Sequence, residues 1–582
     1  MFSTSSLAES GAGGAGGSGP DRTKKNGAFG SATRSAELNA VSRFVSAAGR
    51  VPDRTAIVVD RGGSVERASY KELSQRAAAC ALALKRAGLS GGDRVVVMVP
   101  VSLDLYAIIL SILSIGAVAV FVSPWLDRKH LESAVAEVAA KAYVGSASAQ
   151  LLRLKSPALR RISVTFTTGR RICGLPARHS LAYRGPGDGQ LSVQPVEENA
   201  PALISFTSGS SGVPKGANRT HSVLRGQHEA LSAAFPVSDE DVDATMFPVT
   251  VLNSLASGVR SVVPKVDFRS TSRFDANGVL RLLTAERATT CALPPPALDA
   301  LAAAALSRPE SPPPIRRILC GGAPVYDRQI PRWTDAFPET EIVIAYGSTE
   351  AEPVAHIVAP DRLDAVSDVR PDSPGICVGE PTPSVDVRII RIYAGPIDLS
   401  AAGWPEWEVT RGEIGEIVVA GPHVCRDYFR NPDAVRETKI VEPSGLVWHR
   451  MGDTGYIDER GRLWLAGRVH STIVRNGEAV HPQLLEQAAL SANASIARVA
   501  AVGLTDESLG QRVVVVLEAG SSDEAADAVR SAVSTSRFPV DDVVVARDPL
   551  PLDPRHRSKI DYEALRARLD VDEREKRGAS PR

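Results

Sequence analysis

The sequence predicts an α/β protein in two folded parts: a large one of β-sheets with packed helices, then a small α+β one. Three observations carry this. From about Ser35 to Ala466, apolar β-branched runs alternate with Ala/Leu-rich stretches, the pattern of strands interleaved with helices. One segment of about thirty residues, beginning at Arg94, spells strand, helix, strand. After Gly467-Arg468 the units become shorter, as in a small α+β domain. A chain of 582 residues also exceeds one simple core, which agrees with at least two domains.

Taken in order, residues 1–34 are rich in Gly, Ser and Ala, carry Lys24-Lys25 and have no apolar h-region. They read as a disordered tail, not a secretory signal. Residues 70–87 read as a helix and 94–100 as a strand. Residues 105–122 are eighteen uncharged, mostly apolar positions, the lower limit for a membrane span. Gly116 divides them into a helix-like half, 106–113, and a β-branched half, 118–122. That makes a buried parallel βαβ unit and no transmembrane segment. Residues 204–207, 318–320 and 342–346 read as strands and 298–306 as a helix, with loops expected at Pro294-Pro295-Pro296 and at 312–314. In the small part, 496–502 and 512–517 are the regular units. The expected domains are 35–467 and 468–570, with 571–582 a charged tail that frays from about Asp570.

Bulk chemistry excludes several classes. Lys+Arg and Asp+Glu both number 67, so no nucleic-acid partner is held by net charge. The six cysteines are scattered, with no CxxC and no Cys/His cluster. They read as reduced, buried thiols of a cytoplasmic protein without structural zinc. None sits in a motif for a catalytic cysteine. No internal repeat is evident, and nothing in the sequence speaks to oligomeric state.

The most informative stretch is Ile204-Ser-Phe-Thr-Ser-Gly-Ser-Ser-Gly-Val-Pro-Lys-Gly216. Its glycines let backbone N–H groups approach a ligand, and its hydroxyls and lysine add donors, which suits a polyphosphate. It is not a Walker loop, because Lys215 is followed by Gly216 rather than Ser or Thr. Composition alone also allows a flexible surface linker. Four segments downstream each suit a part of handling ATP. Leu319-Cys-Gly-Gly-Ala-Pro324 follows a strand and lets a flat base approach the backbone. Ala345-Tyr-Gly-Ser-Thr-Glu-Ala351 offers an aromatic for that base, hydroxyls for phosphate and a carboxylate for a hard cation. His449-Arg-Met-Gly-Asp-Thr-Gly-Tyr456 presents Asp453 in a turn for the ribose hydroxyls, and Pro554-Arg-His-Arg-Ser-Lys559 places a lysine in the small domain. Singly, Asp453 is an ordinary turn former and Lys559 an ordinary surface charge.

In this order, over about residues 40–570, these segments resemble the adenylate-forming superfamily of acyl-CoA synthetases, luciferases and peptide-synthetase adenylation domains. The resemblance implies a large N-terminal domain with a small β-barrel-like subdomain, a hinge, and a mobile C-terminal lid. It implies Mg²⁺ and ATP as cofactors and conversion of a carboxylic acid to an acyl-AMP with release of pyrophosphate. Two anions must meet in that step, so catalysis is largely positioning and charge neutralisation. Carried over by motif, Thr207, Ser208, Gly209, Ser210, Ser211, Gly212 and Lys215 hold the β- and γ-phosphates, and Thr349 touches phosphate. Glu350 binds Mg²⁺, and Tyr346 with Gly322 and Ala323 frames the adenine. Pro324, Gly347 and Ser348 complete the same nucleotide-binding segments. Asp453 and Arg468 hold the ribose, and Lys559 bridges the α-phosphate and the attacking carboxylate. Lys559, Thr207 and Glu350 are the catalytic candidates.

Three departures narrow the branch. Acyl-CoA synthetases carry an aromatic and a His where this chain has Pro248-Val-Thr-Val251. The hinge reads Gly467-Arg-Val-His470 where an acid is usual, and Ser558 stands in place of Gly before Lys559. The first two positions serve the thiol half-reaction. The segments Tyr346–Ile357, Val387–Ile397, Trp448–Asp453 and Pro554–Ile560 are similar to the olefin-pathway β-lactone synthetases, although Arg557-Ser558 and the segment Arg475–Pro482 read differently. That branch implies adenylation of a 2-alkyl-3-hydroxy acid and closure by the substrate's own hydroxyl, with His556 a candidate base. The alternatives are an AMP-forming medium- or long-chain acyl-CoA ligase, with CoA as a further partner, and a non-catalytic nucleotide- or acyl-binding descendant. An amino-acid adenylation domain is disfavoured, because Met246-Phe-Pro-Val-Thr250 lacks the Asp that pairs a substrate amine. Val249, Val251, Leu252 and Leu255 are the expected apolar lining for the acyl chain.

Overall fold

The computed structural model describes residues 36–122, 126–169, 179–181, 189–208, 214–266, 274–307, 313–368, 375–400, 403–534, 538–552 and 560–578. The N-terminal tail, Cys173, Gly209, Ser210, Ser211, Gly212, His556, Arg557, Ser558 and Lys559 lie outside them. Helix α1 (Tyr70–Arg86) starts on a capping box, in which Ser69 and Glu72 exchange side-chain-to-backbone hydrogen bonds. Its stripe Leu73, Ala77, Cys80, Ala81 and Leu84 is buried at helical spacing. Strand β1 (Arg94–Met98), helix α2 (Leu103–Ser114) and strand β2 (Val118–Phe121) form the expected βαβ unit, with β1 and β2 parallel. Every residue of α2 except Asp104 is buried, and its Ser111 and Ser114 hydroxyls donate to backbone carbonyls within the helix. At twelve residues α2 is a core helix. Among the described residues no helix is long and apolar enough to cross a membrane.

Strand β3 (Pro201–Ser208) lies beside β2, and β4 (Pro214–Thr220) returns antiparallel at the edge of this seven-stranded sheet. Thr207 stands opposite Lys215, so the glycine-rich segment connects the two strands of a hairpin. Helices α3 (His221–Ala234) and α4 (Thr250–Ser257) follow. The second, fourteen-stranded sheet contains β5 (Arg317–Gly321) parallel to β6 (Glu341–Ser348), and β6 antiparallel to β7 (Ala351–Val358). Its far end is antiparallel and holds β8 (Gly415–Ala420), β9 (Lys439–Val441), β10 (Val447–Ile457) and β11 (Leu463–Arg468). Beyond Arg468, helix α5 (Pro482–Ala492), strands β12 (Val499–Asp506) and β13 (Gly510–Leu517) and helix α6 (Tyr562–Gly578) surround a core of their own.

Three expectations are corrected. Pro294-Pro295-Pro296 does not mark a loop: Pro294 caps the helix Pro295–Leu306, and proline fits a first turn whose N–H groups have no helical acceptor. Asp453 stands inside β10, not in a turn. The last helix reaches beyond the expected boundary at Asp570, since α6 continues to Gly578.

The small part docks through the segment after β5. Arg362, fully buried, donates to Asp327 at 2.5 Å, and Asp327 accepts from Gln487 of α5. Arg328 donates to the carbonyls of Ile496 and Ala497 at 2.7 and 3.2 Å.

Within that part, Glu486 is 2% exposed and accepts hydrogen bonds from Tyr562 at 2.6 Å and from the backbone of Ala501 at 3.0 Å. Burial outweighs both and pushes its carboxyl up to about 7. The folded value lies above the unfolded one, so the stability tied to the protonated form is complete below about pH 4.5 and lost as pH rises through about 7. A loss of about 3 kcal/mol is expected between pH 5 and pH 8. Glu486→Gln is expected to remove that slope, read as a Tm that no longer falls over this range.

Candidate active site

The site lies where the edge of the first sheet meets the second. Strand side chains alternate, so Lys215 and Arg219 of β4 share a face. Lys215 is buried, with its ammonium 3.8 Å from Glu437. The Arg219 guanidinium, 3% exposed, donates twice to the carbonyl of Thr349, at 3.0 and 2.7 Å. Thr349 and Glu350 form the tight connection between β6 and β7, closed by the pairing of Ser348 with Ala351. Gly347 is required there, since a Cβ would stand 2.7 Å from the Ala351 carbonyl oxygen. Lys215 and the Tyr346–Glu350 segment, found separately in the sequence, are thus brought together.

Glu350 is 8% exposed. Its carboxylate accepts from the Tyr428 hydroxyl at 2.9 Å, and its carbonyl from the Cys425 N–H at 2.7 Å. Burial opposes its charge, but its surroundings, among them the Lys439 ammonium and the Tyr428 hydroxyl, hold the carboxyl below the usual glutamate value. Lys439 is the cation of that group. Burial lowers its ammonium only to about 8, whereas burial and the Lys439 charge push the His449 imidazole down to about 3 and keep it neutral. A buried carboxylate preceded in the chain by two hydroxyl residues, Ser348 and Thr349, offers oxygen donors, the chemistry that fits Mg²⁺. Among the described residues no cluster of three or more His, Cys, Asp or Glu suggests any other metal centre.

At the opposite end, the Tyr346 hydroxyl donates to Asp453 at 2.7 Å, and Arg468 meets the other carboxylate oxygen at 3.0 Å. Asp453 and Arg468 are direct partners across β10 and β11. Shielding from water and the Asp453 charge push the Tyr346 phenol well up, so it remains a donor. Gly322 has φ +82°, a left-handed turn after β5, and a Cβ there would stand 3.6 Å from the ring of Phe247. Ala323 and Pro324 continue that turn half-buried. Phe247 therefore supplies an aromatic immediately before the stretch Pro248-Val-Thr-Val251 that has none. Thr207 and Ser208 close β3 by their backbone.

Two of the four residues expected to line the acyl site do not. Val251 and Leu255 are fully buried in the core shared with α1 and α2. Val249 and Leu252 line a cavity with Leu224 and Leu231 of α3, beside His228 hydrogen-bonded to Asn253 at 2.7 Å. The described cysteines are all buried, and burial pushes Cys80 up to about 12 and Cys377 and Cys425 up to about 11, far from nucleophilic. Sequence reasoning missed Arg219, Tyr428 and Lys439. Only Arg219 carried a local signal, the period-2 spacing from Lys215.

The model of the AMP-binding enzyme family matches residues 44–429. An olefin beta-lactone synthetase of Stenotrophomonas maltophilia is 33% identical over 513 residues, 85% of this chain and 90% of that protein. A feruloyl-CoA synthase of an Amycolatopsis species is 29% identical over 471 residues, 80% of this chain and 86% of that protein. Among solved structures, an amide bond synthetase from Marinactinospora thermotolerans shares the fold with a TM-score of 0.74 at 23% identity, covering 91% of this chain and 99% of that one.

Arg219→Met is expected to leave the Thr349 carbonyl without its two donors and Glu352 without its facing charge. A destabilisation of about 3 kcal/mol is expected, measured by urea unfolding.

Proposed function

The chain belongs to the AMP-binding enzyme family, and on that premise we propose that it activates a 3-hydroxy acid with ATP and then closes it to a β-lactone. The coarser activity needs no proposal: the protein is an AMP-forming ligase that binds ATP and acts on a carboxylic acid. The finer reading rests on one observation above others. Similarity to an olefin beta-lactone synthetase extends over 85% of the chain, and coincides with loss of the His and the hinge acid associated with the thiol half-reaction.

In this reading Lys215, with the backbone and hydroxyls of Thr207, Ser208, Gly209, Ser210, Ser211 and Gly212, neutralises the β- and γ-phosphates. Tyr346, Gly347, Gly322, Ala323 and Pro324 receive the adenine, Asp453 and Arg468 the ribose, and Ser348 and Thr349 the phosphate chain. Glu350 would hold Mg²⁺, which supplies charge neutralisation to the triphosphate when bound. Lys559 draws the substrate carboxylate to the α-phosphorus. The carboxylate oxygen bonds to phosphorus as the P–O bond to pyrophosphate breaks. The 3-hydroxyl oxygen then bonds to the acyl carbon, AMP leaves with the C–O electron pair, and the hydroxyl proton passes to a base, for which His556 is the candidate. An intramolecular nucleophile held in place needs no second substrate.

A second reading, an acyl-CoA ligase, is favoured by the feruloyl-CoA synthase relative. The two separate in one experiment. Incubation with ATP and a racemic 2-alkyl-3-hydroxy acid is expected to release AMP and β-lactone without CoA; strict dependence of AMP release on CoA favours the ligase. Lys559→Ala is expected to lower acid-dependent pyrophosphate exchange by about 10²–10³-fold. Unchanged exchange would remove Lys559 from the mechanism.

A further inference from the structure

Lys439 lies outside every motif that identifies the site, yet its ammonium is buried beside the site's central carboxylate. It is 4% exposed and stands on β9 directly opposite His449 of β10. Its ammonium donates to the Cys425 carbonyl at 2.6 Å and lies 5.1 Å from the centre of the Tyr428 ring. Both contacts fall on one short loop, residues 424–429, which bridges the two sheets. On one side the loop meets β4: Phe429 N–H donates to the Gly216 carbonyl at 2.8 Å, and Tyr428 bridges with Ala217. On the other side Val424 bridges with Ala351, Cys425 N–H donates to the Glu350 carbonyl, and the Tyr428 hydroxyl donates to the Glu350 carboxylate. The loop therefore sets the position of Glu350 against the strand that carries Lys215, and Lys439 holds it from within.

We propose that Lys439 is a positioning residue which, through Cys425 and Tyr428, fixes the Glu350 carboxylate relative to Lys215 and so sets the affinity of the site for metal-bound triphosphate. The inference rests on the reading above that Glu350 faces the metal. Outer partners that orient a metal ligand govern metal affinity by about 10–100-fold when removed. A lysine whose role is only to fill the core would leave ligand affinity alone and change stability.

The test is calorimetric titration of the whole protein with ATP, with and without Mg²⁺, and with AMP, which has no β- and γ-phosphates. Lys439→Met keeps the length of the apolar stem and removes the charge. It is expected to weaken Mg²⁺–ATP binding about 10-fold while AMP binding changes less than about two-fold. Tyr428→Phe, which keeps the ring, is expected to act in the same direction, and the double variant to lose no more than the stronger single one, because the two lie on one path. Lys439→Met and Tyr428→Phe that bind Mg²⁺–ATP like the parent, whatever their Tm, overturn the inference. Should Lys439→Met not fold, Tyr428→Phe alone decides it. Glu350→Gln separates the premise from the inference. If it weakens Mg²⁺–ATP binding and the other two do not, the inference alone falls; if it too has no effect, the reading of Glu350 fails and the inference with it.

Discussion

Arg219 spans the junction of the two sheets, and its paired hydrogen bonds to the Thr349 carbonyl tie the strand of Lys215 to the turn that carries Glu350. The strand that carries it also carries Lys215, four positions earlier on the same face. The carbonyl it grips is followed immediately by Glu350. A planar guanidinium with two donors to one oxygen fixes direction as well as distance, which a lysine ammonium would not. With the guanidinium 3% exposed, water does not compete for the contact. Lys215 and the candidate metal carboxylate Glu350, far apart in the chain, are in this way held together.

Around that unit the protein buries charge, which costs stability unless partners are supplied. Each charge has one. Glu350 takes the Tyr428 hydroxyl and faces Lys439, Asp453 takes Tyr346 and Arg468, and Lys439 takes the Cys425 carbonyl. The His449 imidazole stays neutral, which leaves the Lys439 ammonium as the cation buried next to Glu350. Donors and charges fixed before the ligand arrives need no reorganisation during reaction, which is how electrostatic catalysis works in a site of low dielectric.

How far the sequence foretold this follows from the range of each signal. Strand β3, strand β6 and the buried βαβ unit were readable because composition and period are local properties. The contacts that join them were not, since Tyr428 meets Glu350 across 78 positions, Tyr346 meets Asp453 across 107 and Arg219 meets Thr349 across 130. Asp453 read as a turn residue because Gly452 precedes it and Gly455 follows. Gly452 does adopt a left-handed φ of +68°, but within a strand whose pairing shifts register at Thr454 and Gly455. The glycines bend the strand without ending it. Val251 and Leu255 were read as lining for a similar reason: apolar identity marks burial but not which side of α4 is buried in the core.

The end of β11 bears on the proposed lactone closure. Arg468 is its last residue, after Gly467 at φ +154°, and pairs with Asp453. An acid at position 470, two residues on, would bring a second carboxylate near the same guanidinium. His470 brings no negative charge. Shielding from water, with the Arg468 and Arg566 charges, lowers its imidazole pKa, so at neutral pH it neither attracts nor repels Arg468 strongly. Asp453 pairs with Arg468 and meets no second carboxylate at position 470. In the proposed function the substrate carries its own nucleophile, so an acid at that position, associated with the thiol half-reaction, would have no task.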